Sequence, residues 1–240
     1  MKLEKGERLE DLQCKGLKII QNKDFYTFTS DSVILANFID TKRKDKCVEI
    51  GCGCGVISIL LSAKKEFQNI TTFELQKDLA MLAQKNISLN NLNDKINVIN
   101  EDVRNFNRHI EKGSVDVCFS NPPYMLGGDE NKNNIRDIAR HEKSLPLQDL
   151  TKSASQMLRF GGKFYLVYTA ERTAELIQAL MSNNLEPKRM FFTSNGKGRV
   201  VLVVIEAVKG GKHGIKILPE LVTNEENGEY IEKLHTKYFK

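Results

Sequence analysis

The sequence predicts an α/β fold, with a doubly wound and mostly parallel sheet of seven strands, and three observations indicate it. From about residue 46, short apolar runs alternate with helical patterns of ten or more residues, which is typical of right-handed βαβ units. The first apolar run leads directly into a glycine-rich segment, EIGCGCG. The last two runs are separated only by NGKG, which is too short for a helical crossover and therefore makes the final strand antiparallel.

Each element has its own local signal. The predicted strands are short apolar runs bounded by polar or glycine residues: KCVEIG, NITTFEL, KINVIN, VDVCFS, GGKFYLVYT, EPKRMFFTS and RVVLVVIEAVK. The predicted helices between them read GVISILLSAKK, KDLAMLAQKNISLNNL, LQDLTKSASQMLRF and ERTAELIQALMSNN. Ahead of the sheet, a β-like GLKIIQ precedes a helix in DSVILANFI, which Ser30 or Asp31 could cap.

Composition narrows the class of protein. Hydrophobic residues make up 40% of the 240, and no run approaches the roughly 20 apolar residues of a membrane helix. Together with the polar N-terminus MKLEKGERLE, this leads us to expect a cytoplasmic protein without a membrane partner. Cys52 and Cys54 form C-x-C, which is not a metal-ligand spacing, so we expect no metal. A formal charge of +5 is compatible with a polyanionic partner.

The glycine-rich segment indicates a nucleotide-like cofactor. Glycines at 51, 53 and 55 let the backbone turn sharply and let a ligand approach the main chain and the following helix N-terminus. A dinucleotide fingerprint would need glycine at position 56, where Val56 stands. The loop instead resembles the E/D-x-G-x-G-x-G motif of class I methyltransferases, which implies S-adenosylmethionine as cofactor.

Acidic residues follow the next two strands, where a doubly wound sheet binds its ligands. Glu74 is placed to accept hydrogen bonds from ribose hydroxyls, and Asp102 to accept one from the adenine amino group; each could instead be a loop or helix-capping acid. Glu49 lies near the cofactor's amino-acid end or orders the loop. The predicted cofactor contacts of this region are Glu49, Gly51, Cys52, Gly53, Gly55, Glu74, Leu75, Asp102, Val103 and Asn121.

The tetrapeptide NPPY, from Asn121 to Tyr124, follows the fourth predicted strand. Pro122 and Pro123 fix a stiff turn without N–H donors, so the Asn121 side-chain oxygen and the Pro122 carbonyl could accept the two hydrogens of a planar NH2. Tyr124 supplies an aromatic face for stacking. These four are the predicted catalytic residues, and the motif resembles that of amino-methyltransferases acting on adenine, cytosine or glutamine.

The two ends of the chain extend the resemblance. The segments LQCKGLKIIQNKDFYTFTSDSVILANF, ARHE, ILPELV and GEYIEKLHTKYF are similar to bacterial tRNA (adenine-N6)-methyltransferases that modify adenine 37 of tRNA1(Val). The resemblance implies that Thr29 and Asp31 lie near the cofactor and that the anticodon stem-loop is the partner. Residues 125–145 are polar and contain glycine, which is typical of a flap that orders when RNA binds. We infer no obligate protein partner from the sequence. The implied substrate contacts are Tyr124, Arg140, His141, Lys188, Arg189, Lys197, Arg199, Lys209, Lys212 and Lys216.

We therefore expect a single methyltransferase domain, with an N-terminal extension over substrate and cofactor (1–45), a catalytic core (46–208) and a basic tail (209–240). Three other functions are compatible with the central motifs: a glutamine N5-methyltransferase of release factors, a nucleotide-binding module without catalysis, and a DNA adenine methyltransferase, for which the sequence shows no obvious sequence-recognition domain. The glutamine enzymes typically carry a helical domain ahead of the glycine loop, whereas only 48 residues precede Glu49 here.

Overall fold

A computed structural model describes residues 3–25, 27–122 and 145–224 of the chain. Its helices are α1 (Ser30–Phe38), α2 (Val56–Lys64), α3 (Lys77–Leu89), α4 (Leu147–Met157) and α5 (Thr173–Ser182). Its strands are β1 (Glu7–Asp11), β2 (Lys18–Asn22), β3 (Lys46–Ile50), β4 (Asn69–Phe73), β5 (Ile96–Ile99), β6 (Val115–Ser120), β7 (Leu158–Thr169), β8 (Leu185–Ser194), β9 (Val200–Lys209), β10 (Lys216–Ile217) and β11 (Leu221–Val222).

The predicted sheet is confirmed. The seven predicted strands are β3 to β9, and they lie in the spatial order β5-β4-β3-β6-β7-β9-β8. Neighbouring strands from β5 to β7 are parallel, and β9 is antiparallel to both β7 and β8. The carboxyl ends of β3 to β7 therefore meet at a single edge of the sheet, which we call the carboxyl edge; the opposite one is the amino edge.

Two parts of the fold differ from the sequence prediction. Strand β1 forms an antiparallel hairpin with β2, and the short β10 and β11 each pair with β8, so the main sheet of the described residues has nine strands. The helix predicted to run to Phe160 ends at Met157, because Leu158 already pairs with Val115 on β6. The register between β6 and β7 then shifts, and Gly161, which lies in this irregular part of β7, has a φ of 74°.

Helices cover both faces of the sheet. The side chains of α1 and α2 form one apolar layer, joined by Leu82 and Ile87 of α3, and those of α4 and α5 form the other. Alternation along β6 shows how a strand serves both layers, because Val117 and Phe119 belong to the first and Cys118 to the second. Within the described ranges, none of the helices has the length and apolar character needed to span a membrane.

Candidate active site

The predicted site residues converge on the carboxyl edge. The glycine loop follows β3, Glu74 follows β4, Asp102 follows β5 and Asn121 follows β6. These four strands are adjacent in the sheet, so residues up to 70 positions apart in sequence, Gly51 and Asn121, come to one side of it. Motifs that are far apart along the chain therefore lie next to one another at this edge.

The glycine loop has backbone geometry that favours glycine. Gly51, Gly53 and Gly55 have φ values of 70°, 54° and 84°, in the left-handed region. The N–H groups of Gly51 and Cys52 both donate to the carbonyl of Phe73, at 2.8 and 3.2 Å, which ties the loop to β4. A Cβ added at Gly51 or Gly53 would meet no atom within 4 Å. The loop therefore presents bare backbone to open space at the start of α2, which fits the close approach of a ligand.

Glu74 fixes this loop through its carboxylate. Oε2 accepts the N–H of Gly53 at 2.9 Å, and Oε1 accepts the N–H of Gln76 at 2.9 Å. Burial raises the pKa of the carboxyl, against the lowering effect of these backbone hydrogen bonds. Each oxygen keeps a second lone pair. The geometry therefore permits the predicted hydrogen bonds from ribose hydroxyls to this carboxylate, which remain a prediction. The adjacent Leu75 is 48% exposed and offers an apolar contact beside the carboxylate.

Glu49 is buried beneath the loop, with 1% of its surface exposed. Its Oε2 accepts a hydrogen bond from the hydroxyl of Ser58 on α2. Burial raises the pKa of Glu49 to about 8, and the nearby Glu74 adds to the rise against the hydrogen bonds from Ser58. The contact links β3 to α2 and so orders the loop, one of the two roles predicted for this residue.

Asp102 caps the 3₁₀ helix Val103–Arg108. Its Oδ1 accepts the backbone N–H of Arg104 at 2.9 Å, and both carboxylate oxygens accept the Arg104 Nε–H at 3.0 Å. The side-chain hydrogen bond from Arg104 is the main cause that holds the pKa of Asp102 below its ordinary value. Val103, the next residue in the chain, is buried. An adenine amino group would share this carboxylate with Arg104.

Asn121 contacts a residue that the sequence did not single out. Its side-chain Nδ2 donates to the hydroxyl of Ser32 at 3.1 Å, across 89 positions of the chain. Ser32 lies in the first turn of α1 and is 4% exposed. Because the NH2 end of the carboxamide is used on Ser32, Oδ1 is the end left to accept a hydrogen bond from a substrate.

The start of α1 therefore lies beside Asn121 at the carboxyl edge. Thr29 occupies the N-cap position, where its carbonyl accepts the N–H of Ser32 at 3.2 Å, and Asp31 in the first turn directly precedes Ser32. The Ser30 hydroxyl donates to Asp31 Oδ1 at 3.4 Å. This agrees with the implied placement of Thr29 and Asp31 near the cofactor, which stays a prediction. The only sequence signal for Ser32 is its position beside Asp31 in the same helical turn.

Several predicted catalytic and substrate-binding residues lie outside the described residues. These are Pro123, Tyr124, Arg140 and His141, together with the flap apart from Leu145. Pro122 is described and is buried at the end of β6. In the part of the chain that the structure describes, no group of three or more His, Cys, Asp or Glu side chains could hold a metal ion.

The predicted basic contacts divide between the two edges. Lys197 and Arg199 lie in the turn from β8 to β9, at the carboxyl edge, where Arg199 pairs with Glu171 at 3.3 Å. The remaining five lie toward the amino edge: Lys188, Arg189, Lys209, Lys212 and Lys216.

Three of these five side chains already have intramolecular partners. Arg189 pairs with the buried Glu206 and with Asp40 and lies over the ring of Phe38, with its Cζ 4.9 Å from the ring centroid. Lys188 donates to the carbonyls of residues 212 and 214, and Lys209 donates to that of residue 158. The amino-edge group is thus partly engaged in holding the fold together.

Comparison with known proteins agrees with this architecture. Residues 28–195 match the model of a family described as methyltransferase small domain. A tRNA1(Val) (adenine(37)-N6)-methyltransferase from Tolumonas auensis is 29% identical over 164 residues, which cover 68% of each chain. One of the same description from Bacteroides fragilis is 23% identical and covers 95% of this chain and 97% of its own.

Solved structures share the fold at low sequence identity. A predicted O-methyltransferase from Agrobacterium tumefaciens superposes with a TM-score of 0.68 at 17% identity, over 85% of this chain and 93% of its own. A geranyl diphosphate methyltransferase in complex with SAM gives 0.55 at 14% identity, over 75% and 84%.

Proposed function

Because the chain belongs to the methyltransferase small domain family, we propose that it transfers the methyl group of S-adenosylmethionine to N6 of an adenine in tRNA. The proposed target is adenine 37 of tRNA1(Val), the one printed in the names of the relatives from T. auensis and B. fragilis. The observation that carries the proposal is Asn121 at the end of β6, beside the glycine loop, with its carboxamide oriented by Ser32.

The described residues fit the cofactor. The open backbone at Gly51 and Gly53 leaves room for it, and Glu74 and Asp102 are the acceptors on the neighbouring strands. When bound, S-adenosylmethionine supplies an electrophilic methyl group on a positively charged sulfur.

The residues of the chain account for the activation of the amine. The N6 lone pair of adenine is delocalised into the ring, so the amine is a weak nucleophile. Acceptance of its two hydrogens by Asn121 Oδ1 and the Pro122 carbonyl holds the nitrogen in place and stabilises the positive charge that builds on it. As the N–CH3 bond forms, the S–CH3 bond breaks, and the nitrogen then loses one proton. No dedicated general base is required, because the methylated nitrogen is acidic before that proton leaves.

The RNA would be held around the same edge. Lys197 and Arg199 lie at the carboxyl edge, which supports the proposal that they contact phosphates of the anticodon stem-loop while the target base is flipped toward Asn121. Tyr124, Arg140 and His141 remain proposed contacts of the base and its entrance. A tRNA substrate would place the protein in the cytoplasm.

The test is transfer of labelled methyl from S-adenosylmethionine to total tRNA from a bacterial strain lacking this modification, followed by nucleoside analysis. We expect N6-methyladenosine with the wild-type chain and none with Asn121→Ala, while both proteins bind the cofactor. Lys152→Gln, which changes an exposed residue on α4, is the matched control and should retain activity. Cofactor binding without any methylated nucleoside, or methylation of a glutamine peptide in the absence of RNA, would overturn the proposal.

A further inference from the structure

A basic cavity lies at the amino edge of the sheet, on the side opposite the candidate active site. It has a volume of about 430 Å³, within the range of small-ligand pockets. The end of α2 and the turns that precede β3, β4 and β5 form its walls, together with the turn between β1 and β2. The charged side chains that line it are Lys15, Arg43, Lys64, Lys65, Glu66 and Lys95.

The cavity concentrates positive charge. Five of its side chains are cationic and one is a carboxylate, which leaves a local excess of four charges, whereas the whole chain of 240 residues carries +5. Burial lowers the pKa of Lys64, and the positive charges of Lys65 and Lys15 lower it further. The cations therefore repel one another across the cavity, and a bound anion would relieve that repulsion.

The protein's own acceptors balance only part of this charge. Lys15 Nζ donates to the carbonyl of Ala63 at the end of α2, and Lys65 pairs with Asp40 at 3.3 Å. Asp40 is half exposed and also pairs with Arg189. By contrast, the side chains of Arg43 and Lys95 have no hydrogen-bond or ion-pair partner among the described residues.

We propose that this cavity binds a phosphate group, with Arg43 and Lys95 as its principal contacts. A guanidinium can donate two parallel hydrogen bonds to phosphate, and a lysine ammonium adds a point charge, so the pair suits an anion of two or more charges. The phosphate belongs either to an RNA backbone or to a free phosphate compound. In both cases its site is separate from the carboxyl edge, so the ligand does not compete with the cofactor or the target base.

The test uses the full chain and titrates it with pyrophosphate at low salt by calorimetry. We compare the wild type with the double variant Arg43→Gln/Lys95→Gln and with Lys152→Gln, the control that removes one exposed charge elsewhere. We expect one saturable site. Its Kd should rise about ten-fold or more in the double variant, because two modest contributions from exposed charges are lost together. The Kd should stay unchanged in the control. Absence of saturable binding, or equal affinity in all three proteins, would overturn the proposal.

A second titration with total bacterial tRNA separates the two sources of phosphate. If the ligand is an RNA backbone, the double variant binds tRNA more weakly and its affinity depends less steeply on salt, by about one unit of slope per lost contact. If the ligand is a free phosphate compound, the double variant binds tRNA with the wild-type affinity while its pyrophosphate binding is weakened as stated above. Neither readout requires methyl transfer, so failure of the proposed activity would not affect this result.

Discussion

Replacement of Ser32 with alanine should lower the rate of methyl transfer without weakening cofactor binding. The hydroxyl of Ser32 accepts the hydrogen bond from Asn121 Nδ2 at 3.1 Å and so turns Oδ1 toward the position proposed for the substrate amine. A neutral hydrogen bond contributes about 1 kcal/mol net. Because 1.36 kcal/mol corresponds to a factor of ten in rate, its loss should reduce kcat about five-fold.

The assay is steady-state kinetics with tRNA and S-adenosylmethionine, with the enzyme concentration normalised by the stoichiometry of cofactor binding. Normalisation matters because Ser32 is only 4% exposed and its loss could reduce the folded fraction. Ser155→Ala is the matched control, since Ser155 is a buried helical serine, 8% exposed, on the opposite face of the sheet. The positioning role would be refuted if Ser32→Ala kept the wild-type kcat, or lost no more than Ser155→Ala.

Three further predictions concern charge. The raised pKa of Glu49 means that, between pH 4.5 and about 8, the native protein holds a proton that the unfolded chain has released. The free energy of unfolding should therefore fall as pH rises through this window, by up to about 1.4 kcal/mol per pH unit. Urea unfolding at several pH values should show a less steep fall in Glu49→Gln. Arg189→Ala leaves the buried carboxylate of Glu206 without its closest partner and should cost about 3 kcal/mol in unfolding free energy; an unchanged urea midpoint would contradict this. Lys197→Gln should leave stability unchanged and weaken tRNA binding in a filter assay, and equal affinity to wild type would remove Lys197 from the RNA surface.

Sequence patterns were sufficient for most of the sheet. The signals that predicted β3 to β9 are local, because apolar runs, helical periodicity and short glycine turns depend only on neighbouring residues. The two-residue strands β10 and β11 have no such signal, because they form only by pairing with the edge of β8 that does not face β9. The early end of α4 was missed for a similar reason, because pairing with β6 overrides the helical preference of its last residues.

The convergence of the candidate site residues was predictable where those residues follow strands in order. Gly51, Glu74, Asp102 and Asn121 each stand at the end of a predicted strand, and parallel pairing brings those ends together. Ser32 was not predictable in the same way, because its contact with Asn121 joins segments 89 residues apart and depends on how α1 packs.

By itself, the sequence determined which residues could do chemistry and on which side of each strand they fall. Only the tertiary structure decided how the charges are arranged around them. Strand order, and the reversal of β9, place Lys197 at the edge with Asn121, whereas Lys209 lies at the other edge. The same packing gathers Arg43 and Lys95 into one cavity, although 52 positions separate them in the chain. Charges interact according to their distance in space, so a basic run in the sequence shows that positive charge is present but not which surface it creates.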